Sequence, residues 1–355
     1  MTIKQGPFAS TLSRRVVLQG AAALLVLPTA ARGQEKLEKT SLTIGIGPDF
    51  GTSGSAVIAL EKGYFKEQGL EQVELKTFSA GLQQVEALVA GGLDVAMPTQ
   101  APVLTARSNG IPLVLFASVA AYNDSLALVV REGKVVEKPT DLYGLKIGVL
   151  KGSGAEMMVN AIIKHYGLDA SKIETVSLAP PEQLSGLSTA AIDAICVWQP
   201  WVFEATRAGG KIVHTGTTSF LETNKEEKVA VDWTRGLCCA HERFVRANPK
   251  TLEAMVRALA DAQAFIAKPE NFAEVNTIFS GYQNQSPDMN AVVIKTFGPS
   301  IALDERFVND IEEVQNFLLE SNRMKRKVDV EGMLFGGPLR SIDPQLVSVN
   351  AKWEP

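Results

Sequence analysis

Histidine and cysteine are scarce in this chain, three of each among 355 residues. Cys196, Cys238 and Cys239 make no Cys-x-x-Cys pair and no zinc spacing, which argues against a redox or structural-metal domain. On a strand, adjacent Cys238 and Cys239 point to opposite faces, as two buried thiols rather than a disulfide. No basic run is long enough to offer an electrostatic footprint for nucleic acid. The one N-terminal apolar run, Gly20 to Leu27, is too short for a membrane span. No Gly-x-x-x-x-Gly-Lys-Ser/Thr phosphate loop occurs. Gly45-x-Gly47 and Gly152-x-Gly154 both lack the third glycine of a dinucleotide fingerprint, with Phe50 and Met157 in its place. Nucleotide-dependent catalysis has no support, and no cofactor or metal is expected.

What is present is a chain with 46% hydrophobic and 21% charged residues, long enough for two lobes around a large core. Its first 33 residues hold Lys4, Arg14, Arg15 and Arg32 and no acid. Ser13-Arg14-Arg15-Val16-Val17-Leu18-Gln19, the apolar run and Ala30-Ala31 read as a twin-arginine export signal over residues 1–33, cleaved between Ala31 and Gln34. Val17 and Gln19 depart from the twin-arginine pattern and leave the general secretory route open. Without this segment 31 basic residues face 39 acidic ones, a net charge of −8.

The plan of the remainder occurs twice. Leu42-Thr43-Ile44-Gly45-Ile46 matches Leu145-Lys146-Ile147-Gly148-Val149. Gly69-Leu70 matches Gly167-Leu168, and Gly92 to Ala96 matches Ala190 to Ala194, at offsets of 98 to 103 residues. Two similar strand–helix–strand–helix–strand lobes imply a cleft between them. The pattern predicts strands at Ser41–Ile46, Asp94–Met97, Leu113–Ala117 and Leu126–Val130, and a loop from Gly47 to Gly54 before a helix starting at Ser55. It also predicts a solvated loop over Glu222–Glu227, a return strand at Leu237–Ala240 and one long amphipathic helix from Arg243 to Ala267.

Within the second repeat, strand 145–150 runs into Lys151-Gly152-Ser153-Gly154 and a helix. Free backbone N–H groups at such a helix start, with the Ser153 hydroxyl and the Lys151 charge, suit an anion. Val197-Trp198-Gln199-Pro200-Trp201 ends the next strand, where open α/β sheets bind ligands.

Four blocks carry a family resemblance. Ala59-Leu60-Glu61-Lys62-Gly63-Tyr64-Phe65 resembles the Glu-Lys-Gly-Tyr/Phe-Phe helix of periplasmic substrate-binding proteins of nitrate, taurine and sulfonate ABC importers (NitT/TauT, NMT1-like). Glu86 to Asp94, Leu145 to Val149 and Ile192 to Trp201 are similar to three further blocks, in order over residues 41 to 265. The resemblance implies an α/β, two-lobe periplasmic-binding-protein fold (type II-like), with the ligand cleft between lobes joined by two crossover strands. Residues 34–126 form the first part of lobe 1, 127–235 lobe 2, and 236–355 the return to lobe 1 plus C-terminal helices. It implies a periplasmic monomer that delivers a small molecule to a membrane permease, the ATPase being a separate chain.

Candidate ligand contacts are the loop residues Asp49, Phe50, Thr52, Ser53, Thr99 and Gln100, the crossing residues Asn123 and Asp124, and Lys151, Gly152, Ser153 and Gly154. Trp198, Gln199, Trp201 and Trp233 complete the set, as aromatic or polar walls. Helix starts at Gly54 and Ser153 favour an anionic group, the aromatics an organic body, and Asp49, Asp124 and Asp232 tolerate an amine. A sulfonate, taurine-like compound or aromatic carboxylate meets these demands better than bare nitrate. The fold also hosts enzymes. Desulfinase relatives use a cysteine in the first lobe, whereas every cysteine here follows residue 195. Thiamine-pyrimidine synthases carry a cysteine-rich stretch that is missing. No catalytic residue is assigned.

Overall fold

The computed structural model describes residues 36–222 and 225–355; the expected export signal lies outside them. In chain order the first elements are β1 (Ser41–Ile46), α1 (Phe50–Glu61), α2 (Tyr64–Glu67), β2 (Gln72–Thr77), α3 (Gly81–Val89), β3 (Val95–Ala96), α4 (Gln100–Ser108) and β4 (Leu113–Ala121). The chain then crosses to β5 (Leu126–Val130), β6 (Lys146–Val149), α5 (Gly154–His165), β7 (Glu174–Ser177), α6 (Pro180–Ser188), β8 (Ala194–Trp198), α7 (Trp201–Arg207), β9 (Lys211–Thr215), β10 (Thr218–Glu222) and β11 (Lys225–Lys228). It returns through β12 (Arg235–His241) to α8 (Glu242–Ala247), α9 (Pro249–Ile266), α10 (Phe272–Gln283), α11 (Pro287–Val293), β13 (Gly298–Pro299) and α12 (Glu305–Glu320).

Two mixed sheets result, ordered β13-β4-β12-β3-β1-β2 and β11-β10-β9-β5-β8-β6-β7. From the parallel edge inward they share one plan, β2-β1-β3-β12-β4 against β7-β6-β8-β5-β9. In each, three parallel strands are followed by an antiparallel strand that has just crossed from the other lobe. The internal repeat is therefore a repeat of topology. β4 and β12 are buried along almost their whole length, as near-continuous apolar runs covered on both faces should be.

Three local expectations are corrected. The helix expected from Ser55 begins at Phe50, because Asp49 caps it by accepting the Thr52 N–H. Its glycines are there for close approach: a Cβ on Gly51 would stand 2.6 Å from the Tyr122 ring. The charged stretch after Thr218 is not a simple loop, since β10 and β11 pair antiparallel there and leave the Lys and Glu side chains solvated at a sheet edge. The long helix from Arg243 is broken at Asn248, and α9 restarts with Pro249 in its first turn, where the missing N–H is harmless.

Candidate functional site

The loops that leave the carboxyl ends of β1, β2 and β3 converge beside the crossing residue Tyr122. They form a cavity of about 70 Å³ lined by Asp49, Thr52, Phe78, Gln84, Thr99 and Tyr122, together with loop residues 47–48, 79–81 and 98. This is where an open α/β sheet presents a ligand site. A larger depression of about 480 Å³ lies between α6 and α7, with Arg131 and Glu132 on its wall. It opens at the far end of β5, which is the amino end of the antiparallel β8, and so on the side away from the loops that follow β6 and β8.

Asp49 is the hub of the cavity wall. Its Oδ1 accepts the Thr52 N–H at 3.0 Å and the Tyr122 hydroxyl at 2.6 Å, and its Oδ2 accepts the Thr52 hydroxyl at 2.7 Å. Burial beside this carboxylate holds the Tyr122 phenol well above its usual range, so Tyr122 is a fixed donor to Asp49. Thr99 precedes α4 without capping it. Among the expected residues, Asp49, Thr52 and Thr99 thus share one cavity.

Other expected contacts are placed elsewhere. The Phe50 ring packs edge-on against Phe279, 5.0 Å between centroids, and belongs to the core. Ser53 is fully buried, and its hydroxyl donates to the Asp49 carbonyl. Gln100 is spent as a brace between the crossing and α4: its amide donates to the Trp233 carbonyl and accepts the Arg235 N–H. In the first crossing, Asp124 accepts the hydroxyl of Thr217 and that of Thr215, while Asn123 is wedged between Gly216 and Gly298.

The second-lobe loop differs most from its sequence reading. Ser153 does not cap α5; its hydroxyl donates to the Leu150 carbonyl at 2.6 Å. The Gly152 N–H donates to the Glu156 carboxylate at 2.7 Å, so the chain supplies its own anion at this helix start. The same Glu156 oxygen lies 2.7 Å from Arg323, which follows α12 on the first lobe, making an ion pair between the lobes. Gly152 itself has φ +84 with Arg323 3.4 Å from its Cβ position, whereas Lys151 extends into solvent. Gly154 lies against Thr234 of the second crossing, where a Cβ would meet the Thr234 hydroxyl at 2.8 Å. The three expected tryptophans are half-buried. Trp198 and Trp201 pack on the small apolar cluster under α7, Trp233 packs on the main core, and the Gln199 side-chain Oε1 accepts the Phe203 N–H.

One site feature, Gln84, escaped the sequence reading, whereas Asp232 was expected. Gln84 is 1% exposed, and its Oε1 has no hydrogen-bond partner among protein groups. The available signal was a polar residue on the apolar face of α3, in step with Val85 and Leu88. Asp232 accepts the Thr234 N–H and hydroxyl through Oδ1, while Oδ2 is buried and unpartnered. Burial pushes this carboxyl up to about 6 despite the Thr234 bonds. Among the described residues no group of His, Cys, Asp and Glu is arranged to hold a metal ion.

The NMT1-like family model matches residues 35–280. The chain belongs to the NMT1-like family. The taurine-binding periplasmic protein of Escherichia coli (strain K12) is 27% identical over 219 residues, 61% of this chain, and the alignment spans 64% of that relative. The periplasmic aliphatic sulphonate binding protein SsuA from Escherichia coli superposes with a TM-score of 0.71 at 18% identity, covering 82% of this chain and 96% of that one. The desulfurization enzyme DSZB superposes with a TM-score of 0.63 at 16% identity, covering 86% and 99%. These structural likenesses establish an α/β fold of two mixed sheets, a fold shared by binders and at least one enzyme.

Proposed function

We propose that the chain is the extracytoplasmic solute-binding protein of an ABC importer, taking a small organic compound between its lobes and presenting it to a membrane permease. The cavity beside the crossing, at the carboxyl ends of β1, β2 and β3, carries this reading, and a named relative that is a periplasmic binding protein supports it. The lobes are residues 34–126 with 236–355, and 127–235, acting as a monomer. The solute is a sulfonate, taurine-like compound or aromatic carboxylate, with nitrate a poorer fit to a cavity that carries Phe78 and Tyr122 on its wall.

Desulfinase-like catalysis on this fold would need a cysteine at the cavity. Cys196, Cys238 and Cys239 are buried inside β8 and β12 instead, and burial raises each thiol. A thermal-shift screen of these compounds tests the reading. A solute at a hundred times its Kd should stabilise the fold by about 2.7 kcal/mol. Conversion of a hit into a new product would instead make the chain an enzyme. Export by the twin-arginine route is part of the proposal: replacing Arg14 and Arg15 by Lys should hold precursor in the cytoplasm, and unchanged export would assign the general secretory route.

A further inference from the structure

We infer that the cavity on the first lobe receives the amino end of a zwitterionic solute, with Gln84 and Asp49 as its acceptors; this rests on the solute-binding reading above. The decisive observation is the Gln84 carbonyl. Gln84 is 1% exposed, lines the cavity, and leaves Oε1 buried with no partner among protein groups. A buried amide oxygen left unpaired is costly, so a ligand donor placed there is strongly favoured.

The charge on the wall points the same way. Asp49 uses three acceptor positions on Thr52 and Tyr122, and a carboxylate offers about four. No Lys, Arg or His lines the cavity. An anionic head entering it would meet the Asp49 carboxylate with no cation to offset the repulsion. An ammonium brings three N–H donors and a positive charge, enough for Gln84 Oε1 and the remaining Asp49 position.

Size sets the last limit. At about 70 Å³ the cavity is far smaller than a typical ligand pocket of roughly 300–1,000 Å³, so it suits one end of an organic solute and not the whole of it. The sulfonate or carboxylate end of the same molecule stays outside, away from Asp49.

Taurine and propane-1-sulfonate test this directly, since they have the same shape and differ by an ammonium in place of a methyl group. Calorimetry on the wild-type protein should give taurine at least about tenfold tighter binding, as a charge-assisted hydrogen bond predicts. Gln84→Leu removes an oxygen that pairs with nothing in the protein, so the variant should keep its fold and melting temperature. It should lose about tenfold in taurine affinity and leave propane-1-sulfonate unchanged. Equal affinity of the two sulfonates, or an equal loss of both in Gln84→Leu, would overturn the inference. Failure of both to bind would overturn it too, while hits of other chemistry in the thermal-shift screen would leave the solute-binding reading standing.

Discussion

Asp232→Asn isolates one carboxyl group at the second crossing. Its Oδ1 is held by the Thr234 N–H at 2.9 Å and the Thr234 hydroxyl at 2.6 Å, and Asn keeps that acceptor. The other oxygen is buried without a partner, with Asp310 and Asp124 adding negative charge nearby. Folding raises the pKa from 3.8 to about 6. Between those values the folded chain binds a proton that the unfolded chain has released, so stability falls as pH rises. The penalty is absent below the unfolded value and complete above about 6. Taken at about 1.4 kcal/mol per pH unit, it has a ceiling of about 3 kcal/mol. Partial exposure and relaxation bring the expected gain of the Asn variant to about 1–2 kcal/mol at pH 7.5, and to near zero at pH 4. Melting curves of both proteins from pH 4 to pH 8 read this out. A difference that is constant with pH, or an Asn variant that loses stability as pH rises, would refute the reasoning.

Three further outcomes follow from the geometry. Asp310→Ala removes the carboxylate bound by the Arg235 Nε; with Arg235 only 3% exposed, the stranded guanidinium should cost about 3–5 kcal/mol in chemical denaturation. Ser153→Ala should leave solute affinity within about twofold by calorimetry and lower stability by about 0.5–1.5 kcal/mol, because its hydroxyl serves the Leu150 carbonyl. Glu156→Ala severs the pair with Arg323 across the cleft, so the solute-free protein should show a larger radius of gyration, an effect mimicked in wild type by high salt.

Strands β1 and β5 were legible because their β-branched and apolar residues leave little choice, and the repeat in sequence correctly foretold two sheets of one plan. The start of α1 was not, since Gly51, Thr52, Ser53 and Gly54 read as loop until Asp49 is seen capping them. Hairpin β10–β11 was hidden by Lys and Glu side chains that an edge strand tolerates. At the site, residue types were read well and their partners poorly. Ser153 has the composition of an anion seat, but whether its hydroxyl turns outward or back onto Leu150, and whether Glu156 already fills the helix start, depends on contacts that spacing does not encode. Gln84 was overlooked because a glutamine in a helix is ordinarily exposed; only the packing of α3 makes it buried and unpaired.

The central claim, two lobes closing on a small solute, is tested most directly by small-angle X-ray scattering with and without a saturating thermal-shift hit. Closure about the crossings at residues 122–125 and 229–234 predicts a smaller radius of gyration in the complex. Superimposable profiles at saturation would contradict it.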